Sequence, residues 1–378
     1  MASVTLFFII ATLIWLALYL YTLKRFILRL HFKQTTRHRL AWFTTLIFLG
    51  AMSYMILSRL DLIGPQALML LSILIGTAFI LFVSAVIYDL IHLLMRRFIP
   101  RQERLMTFVD GALLTGIVLY LLYAYLNAVR APQIVVVPVT IPNAPSLRLV
   151  QLSDLHLGRE RDANFFAKIL ATSKSLAPDA ILITGDLYDG PPNNISATLA
   201  PLATLRTPVY VVSGNHEYFH DYNAFQQALK RYNATLLTNT HQLLGPATKP
   251  LALAGIPDLV ASRFGYEAPD INRTLSAIDP NIPVILMAHQ PKAIHLLPPK
   301  RVALTLSGHT HGGQIFPFGL FVLLDQPCLK GLCHLSQTTL YVNQGTAFWG
   351  PHLRMASHNE ITLLLINPKE RASMPHTP

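Results

Sequence analysis

Five short polar motifs, each closing an apolar run, hold the residues that could do chemistry. They are Asp154-Leu155-His156, Gly185-Asp186, Gly214-Asn215-His216-Glu217, Ala288-His289 and Gly308-His309-Thr310-His311. Carboxylate, amide oxygen and imidazole together suit a divalent cation. With no thiolate among them, the set favours an open site for Mn, Fe, Zn or Mg over a closed structural zinc site. Residues two apart in an extended segment point the same way, so Asp154 with His156, and His309 with His311, can each aim at one point. A lone Asp-x-His or Gly-Asp would carry little weight, because isolated His and Asp residues are usually solvated or hydrogen-bonded structural groups. Five blocks in order make a metal centre the stronger reading.

The elements that position these motifs are short runs rich in Val, Ile and Leu: 147–152, 180–184, 209–212, 284–287 and 302–306. They read as buried strands alternating with helical patterns, which is the signature of a layered α/β domain. Ligands in such sheets gather outside the carboxyl ends of the strands, so the motifs should converge there. Helices are expected over 162–176 and 221–232, each with an acidic N-cap, over 192–205 after Pro191-Pro192, and over 269–277. Strands at 235–237 and 251–254 are assigned to a second sheet. Strands at 340–343 and 361–366 finish the domain.

Over roughly Ser146 to Ile366, the ordered pattern D-x-H, GD, GNHE, His and GHxH resembles the calcineurin-like metallophosphoesterases. The trailing Gly312-Gly313-Gln314, and Asn343-Gln344-Gly345 with Trp349-Gly350-Pro351 and Arg354, look like a membrane-attached, bacterial-type phosphodiesterase branch of that family. The resemblance implies a four-layer α-β-β-α sandwich and two divalent metal ions. One ion would be held by Asp154, His156, Asp186 and His311, the other by Asp186, Asn215, His289 and His309, with Asp186 bridging. Two ions about 3.5–4 Å apart can clamp a phosphate and deprotonate a shared water for in-line attack. His216, beside Asn215, is the candidate proton donor to the leaving oxygen, and so the catalytic residue. Glu217 is expected to support its turn. The other His residues, including His220, His241, His295 and His352, are read as ordinary.

At 52% hydrophobic and 13% charged residues, the 378-residue chain is too apolar for a wholly soluble protein. Of the formal charge of +11, most lies before Ser146, where 12 Lys and Arg face 4 Asp and Glu; from Ser146 onward 18 face 15. The excess therefore belongs to the apolar part, which argues against nucleic acid as a partner.

Four stretches, 3–23, 41–58, 67–88 and 105–129, are each near the roughly 20 residues that span a bilayer core. The first lacks the basic start of a signal peptide and is expected to remain in the mature protein. Lys24, Arg25, Arg29, Lys33, Arg37 and Arg39 crowd the first connection, and Arg96, Arg97, Arg101 and Arg104 the third. The second holds Arg59 and Asp61. The positive-inside rule puts the first and third in the cytoplasm, which makes this an inner (plasma) membrane protein whose catalytic domain is periplasmic, or exoplasmic in general. Asp89, His92 and Asp110 are expected to pair with Arg96 or Arg97 at the interface. The organisation expected is an anchor over 1–130, a linker over 131–145 with 135–137 as an edge strand, the catalytic domain over 146–368 and a disordered tail over 369–378.

Two further features bear on function. The apolar stretch 315–324 directly follows the last motif, and Pro317 and Gly319 argue against a long strand there. It is either core packing or a loop whose Phe316, Phe318 and Phe321 touch membrane or acyl chains beside the metals. Cys328 and Cys333 are the only cysteines, and in an oxidising compartment they could close a small disulfide loop.

The leading function is a membrane-anchored hydrolase of a phosphodiester or pyrophosphate, with a lipid-linked substrate. The alternatives are a cytoplasmic-facing pyrophosphatase similar to those acting on UDP-diacylglucosamine, or a non-catalytic metal-binding scaffold. Topology separates the first alternative, and the filled ligand positions weigh against the second.

Overall fold

Apolar side chains on every face, rather than on one stripe, set the character of the first helices. The computed structural model describes residues 2–58, 63–98, 103–336 and 338–367. Within them the chain divides into two units, Met1–Val129 with Gly350–Leu353, and Arg130–Trp349 with Arg354–Pro378.

The first unit contains α1 (Ala2–Arg25), α2 (Gln34–Leu57), α3 (Pro65–Phe98) and α4 (Glu103–Ala128). Among the described residues, all four are long and apolar enough to cross a membrane. The acids near their ends find partners other than the expected ones. Asp89 pairs with Arg25 at 2.8 Å and Arg29 at 2.6 Å and accepts from the Tyr21 hydroxyl. Asp110, fully buried, lies 3.0 Å from His31 Nδ1 and accepts from the His31 backbone N–H. His92 lies against the rings of His31 and Tyr88. The buried connection after α1, which carries Phe26, Ile27 and Leu30, brings these basic groups to the acids. The side chains of Arg96 and Arg97, Arg59 with Asp61, and the tail 369–378 lie outside the described residues.

The second unit is built on two six-stranded sheets. The first contains β1 (Gln133–Val139), β2 (Leu147–Leu152), β3 (Ala180–Thr184), β4 (Val209–Val212) and β5 (Ala234–Leu236). The second contains β6 (Thr240–Leu244), β7 (Leu251–Gly255), β8 (Val284–Met287), β9 (Leu304–Ser307), β10 (Gly331–His334) and β11 (Thr339–Val342); the last strand, β12 (Glu360–Ile366), returns to the first. Strand orders are β1-β12-β2-β3-β4-β5 and β10-β11-β9-β8-β7-β6. The alternating side-chain direction of a strand sorts the apolar residues into three cores. Leu149, Leu182, Val212, Leu253, Ile285, Met287, Leu304 and Leu306 pack between the sheets. Val150, Ile181, Ile183, Val209 and Val211 face α5 (Ala163–Ser175), α6 (Ile195–Leu199) and the later α8. Ala252, Ala254, Val284, Leu286 and Val342 face outward from the second sheet. The result is the four-layer sandwich, preceded by the apolar helices.

The helix caps follow the sequence. Asp162 accepts from the N–H groups of Asn164 and Phe165 at the start of α5. Asp221 and Asp270 cap α8 (Tyr222–Arg231) and α9 (Ile271–Ser276), which follow the short α7 (Asn215–Phe219). Three expectations change. The strand near 235–237 is β5 and closes the edge of the first sheet by pairing with β4, not the second. The helix expected over 192–205 is broken into 3-10, α and 3-10 turns, with Pro201 withholding an N–H where a continuous helix would need one. Gln133–Val139, inside the expected linker, is a full strand paired in parallel with β12. Asn359 clamps its entry by donating to the Arg130 carbonyl and accepting from the Gln133 N–H.

After β9, the chain forms a short apolar projection around α10 (Gly319–Val322). Ile315 is buried, but Phe316, Phe318, Leu320, Phe321, Leu323 and Leu324 are all exposed, so most of the stretch is not core. Cys328 and Cys333 are joined by a disulfide at its base.

Candidate metal centre

The motif residues leave their strands through left-handed turns. Asp154 (φ 52°), His156 (φ 44°), Asp186 (φ 49°), His309 (φ 68°) and His311 (φ 50°) all sit in a region that non-glycine residues seldom hold. Each such residue costs on the order of 1–3 kcal/mol and persists only where its surroundings impose it. Here the turns impose one another. The Asp154 carboxylate accepts from the His309 N–H at 3.0 and 3.1 Å, tying the turn after β2 to the turn after β9. Asp186 Oδ1 accepts from the His216 N–H at 2.9 Å, tying the turn after β3 to α7. Gly308 is required by the close approach. A Cβ at that position would lie 1.9 Å from Ser153 Oγ and 2.2 Å from Asp154 Oδ2.

These turns bring all seven expected ligands to one end of the sandwich. On one side, His156 Nε2 and His311 Nε2 face each other at 3.2 Å, with Asp154 Oδ1 3.4 Å from His311 Nε2. On the other, His289 Nε2 lies 3.2 Å from both His309 Nδ1 and Asp186 Oδ2. Asp186 Oδ2 also lies 3.9 Å from His156 Nε2, so it stands between the two groups.

Hydrogen bonds on the far side of two of these rings set which nitrogen faces inward. His289 Nδ1 is 2.8 Å from the Thr184 carbonyl, which can only accept. His156 Nδ1 is 3.2 Å from Asp189 Oδ2. Each bond places the proton on Nδ1 and leaves the Nε2 lone pair pointing into the site. The buried Asn215 Oδ1 meets no hydrogen-bond donor among the described residues. Converging lone pairs and an unsatisfied buried oxygen fit divalent cations, which supply Lewis-acid polarisation of a phosphoryl oxygen and activation of water.

The charges agree with that use. Burial, and then the charge on His289, holds His309 down at about 3, and burial with His156 and Arg354 holds His311 well below its usual range. Both imidazoles are neutral at ordinary pH, the form that can bind a cation. Burial alone would raise Asp186, but His289 and His216 outweigh it and keep the carboxylate ionised. His289 moves the other way, because Asp186 overcomes the burial that would lower it. Without a cation its inward Nε2 therefore also carries a proton toward Asp186, and a cation would displace that proton to use the lone pair.

His216 stands beside these groups, with Nε2 4.0 Å from Asp186 Oδ2 and Nδ1 3.1 Å from Asp189 Oδ2. The second contact is an ion pair out of line for a hydrogen bond. Burial would lower this imidazole, but the two carboxylates raise it to about 9, so it is protonated at neutral pH. Glu217 behaves as expected of a support, accepting from the N–H groups of Asp186, Tyr188 and Gly214. Phe219 and Trp349 meet the His216 ring edge-on at 5.3 and 5.6 Å, and both are about half exposed.

Three contributors were not read from the sequence. Asp189 meets His156, His216 and also His220 Nε2, at 2.7 Å, so His220 is not ordinary. The signal was a second carboxylate three residues after Asp186, in Gly185-Asp186-Leu187-Tyr188-Asp189. Ser153 Oγ donates to Asp154 Oδ2 at 2.6 Å. Arg354, noted only by resemblance, is fully buried and donates from Nη2 to the Gln344 and Ala347 carbonyls at 2.7 and 2.6 Å. Its 3.3 Å contact with His311 Nδ1 is secondary to those bonds.

Comparison with known proteins agrees with this geometry. Residues 147–313 match the calcineurin-like phosphoesterase family. A metallophosphoesterase of Campylobacter jejuni is 32% identical over 333 residues, covering 86% of this chain and 88% of its own. One from Helicobacter pylori is 30% identical over 355 residues, covering 90% and 92%. A transmembrane protein with metallophosphoesterase domain from Danio rerio is 33% identical over 259 residues, covering 65% of this chain and 59% of its own. With its apolar helices, its sandwich and its Asp and His clusters, the chain belongs to the calcineurin-like metallophosphoesterases and is a membrane-associated, metal-dependent phosphoric ester hydrolase.

Proposed function

We propose that the chain holds two divalent cations, Mn, Fe, Zn or Mg, and hydrolyses a lipid-linked phosphodiester or pyrophosphate at the outer face of the membrane. The observation that carries the two-cation reading is Asp186 Oδ2. It stands 3.2 Å from His289 Nε2 and 3.9 Å from His156 Nε2, between two groups of inward-facing ring nitrogens. Asp154, His156, Asp186 and His311 serve one cation, and Asp186, Asn215, His289 and His309 the other. His216 gives its proton to the leaving oxygen, and its raised pKa keeps that proton in place at neutral pH.

The apolar helices up to Val129 anchor the enzyme, and the catalytic domain begins at Arg130, with Gln133–Val139 as a strand of its first sheet. The lipid-linked substrate is supported by the anchor and by the aromatic rim of Phe219, Phe264 and Trp349 near His216. The periplasmic or exoplasmic side is supported by the basic first and third connections and by the Cys328–Cys333 disulfide, which persists in oxidising compartments.

The test is hydrolysis of bis-p-nitrophenyl phosphate by the full-length chain in detergent, after chelation and after return of Mn. Wild type is expected to need the metal, and Asp186→Asn and His216→Ala to lose turnover. Folded, metal-loaded wild type without turnover would overturn the hydrolytic reading.

A further inference from the structure

The stretch 315–324 is an exposed apolar surface of the second unit and begins four residues after His311. No charged or polar side chain occurs in Ile315-Phe316-Pro317-Phe318-Gly319-Leu320-Phe321-Val322-Leu323-Leu324. Leu320, Phe321, Leu323 and Leu324 are 60, 59, 47 and 84% exposed, values that simple core packing would not leave.

The backbone of the tip is also self-sufficient. The N–H groups of Leu320, Phe321, Val322, Leu323, Leu324, Asp325 and Gln326 are all donated to carbonyls between Pro317 and Val322. An exposed loop with unpaired donors could not leave water without losing hydrogen bonds, whereas this turn takes its own bonds with it. Its base is held rigid by the Cys328–Cys333 disulfide and by the Lys292–Asp325 ion pair at 2.7 Å. That puts a paired lysine and carboxylate, not an unpaired charge, at the edge of the apolar tip, where a headgroup layer would lie.

The tether limits what the tip can meet. α4 ends at Ala128 and β1 begins at Gln133. The intervening Val129-Arg130-Ala131-Pro132 spans at most about 15 Å at 3.3–3.6 Å per residue. A link of that length is compatible with the tip meeting the leaflet that α4 would cross.

We propose that the turn around α10 is an interfacial docking element. Leu320, Phe321, Leu323 and Leu324 enter the acyl boundary of the leaflet and hold the mouth of the metal centre against the membrane surface. The partner is the bilayer itself, and the acyl chain of a single substrate is the competing occupant.

The direct test uses the full-length chain in nanodiscs, with an environment-sensitive fluorophore on Leu324→Cys, or on Lys168→Cys in α5 as a control. The native cysteines stay paired. Doxyl-labelled phospholipid is expected to quench the probe at 324 at least threefold more than the probe at 168. Equal quenching at the two positions would overturn the proposal. A Leu320→Gln/Leu324→Gln variant is expected to lose at least threefold in turnover of a long-chain phosphodiester in nanodiscs, with bis-p-nitrophenyl phosphate hydrolysis unchanged. Loss on the long-chain ester without quenching at 324 would assign the tip to the substrate's acyl chain and also reject leaflet docking. Quenching is read without turnover, so failure of the hydrolytic reading would leave it interpretable.

Discussion

Asp189 places one carboxylate oxygen 3.1 Å from His216 Nδ1 and 3.2 Å from His156 Nδ1, so a single side chain touches both the proposed proton donor and a proposed metal ligand. The carboxylate is held ionised well below its usual range: burial opposes this, but His216, His156 and His220 outweigh it.

Asp189→Asn is therefore expected to act in two separable ways. Without this carboxylate, His216 loses one of the two charges that raise its pKa, so the alkaline limb of the kcat–pH profile moves to lower pH. His156 would then donate its Nδ1 proton to a neutral amide oxygen, a weaker acceptor than a carboxylate, and metal affinity should fall by about 10–100-fold. Saturating Mn should restore occupancy but not the position of the alkaline limb. A profile superimposable on wild type at full occupancy would show that Asp189 does not act through His216.

Gly308→Ala probes the interlocked turns. The added methyl would meet Ser153 Oγ at 1.9 Å and Asp154 Oδ2 at 2.2 Å. Relief requires moving the Asp154 carboxylate away from the His309 N–H, and overpacking of this kind typically costs about 1–3 kcal/mol. A lower thermal midpoint with less than wild-type bound metal is expected. Unchanged midpoint and metal content would mean that the turns are less tightly coupled than these distances require.

The convergence of five motifs was legible because each ends an apolar run, and strand ends are where an α/β sheet gathers its ligands. What the sequence could not order was the strands themselves. A three-residue strand such as Ala234–Leu236 carries no mark of its neighbour, and its pairing with Val209–Val211 is set by the packing of α8 beneath it. Asp189 escaped notice because one carboxylate in a loop is commonplace until three imidazoles are seen around it. The 315–324 stretch was ambiguous for a different reason. Ten apolar residues have no polar face from which to read a period, so only exposure separates core from projection.

His309 makes acid sensitivity of the metal-free protein predictable in sign. Its folded pKa, about 3, lies below the roughly 6.5 of an unfolded histidine. The unfolded chain therefore takes up a proton first as pH falls. The stability tied to neutral His309 is complete above about pH 6.5 and is lost progressively toward pH 3; at pH 5 the loss is about 2 kcal/mol. Chelated wild type should lose more stability between pH 7.5 and pH 5 than chelated His309→Asn, as read from thermal midpoints in detergent. A parallel fall in the two proteins would show that His309 titrates normally in the fold.

Topology decides between substrates exposed on opposite sides of the membrane. The first connection between apolar helices carries Lys24, Arg25, Arg29, Lys33, Arg37 and Arg39, and the third Arg96, Arg97, Arg101 and Arg104, against Arg59 and Asp61 in the second. By the positive-inside rule such an asymmetry in short loops favours cytoplasmic basic loops, and the proposed orientation, with four spans returning the chain to the outer side, follows from it. A reporter that matures only outside the cytoplasm is expected to be active when fused after Asn367, and a cytoplasm-only reporter silent there. Intact protein isolated without reductant should carry no free thiol, since Cys328 and Cys333 are its only cysteines and are bonded to each other. The reverse reporter pattern with two free thiols would place the metal centre in the cytoplasm. That result would transfer the substrate assignment to a cytoplasmic nucleotide-linked lipid pyrophosphate, the one alternative that needs the opposite face.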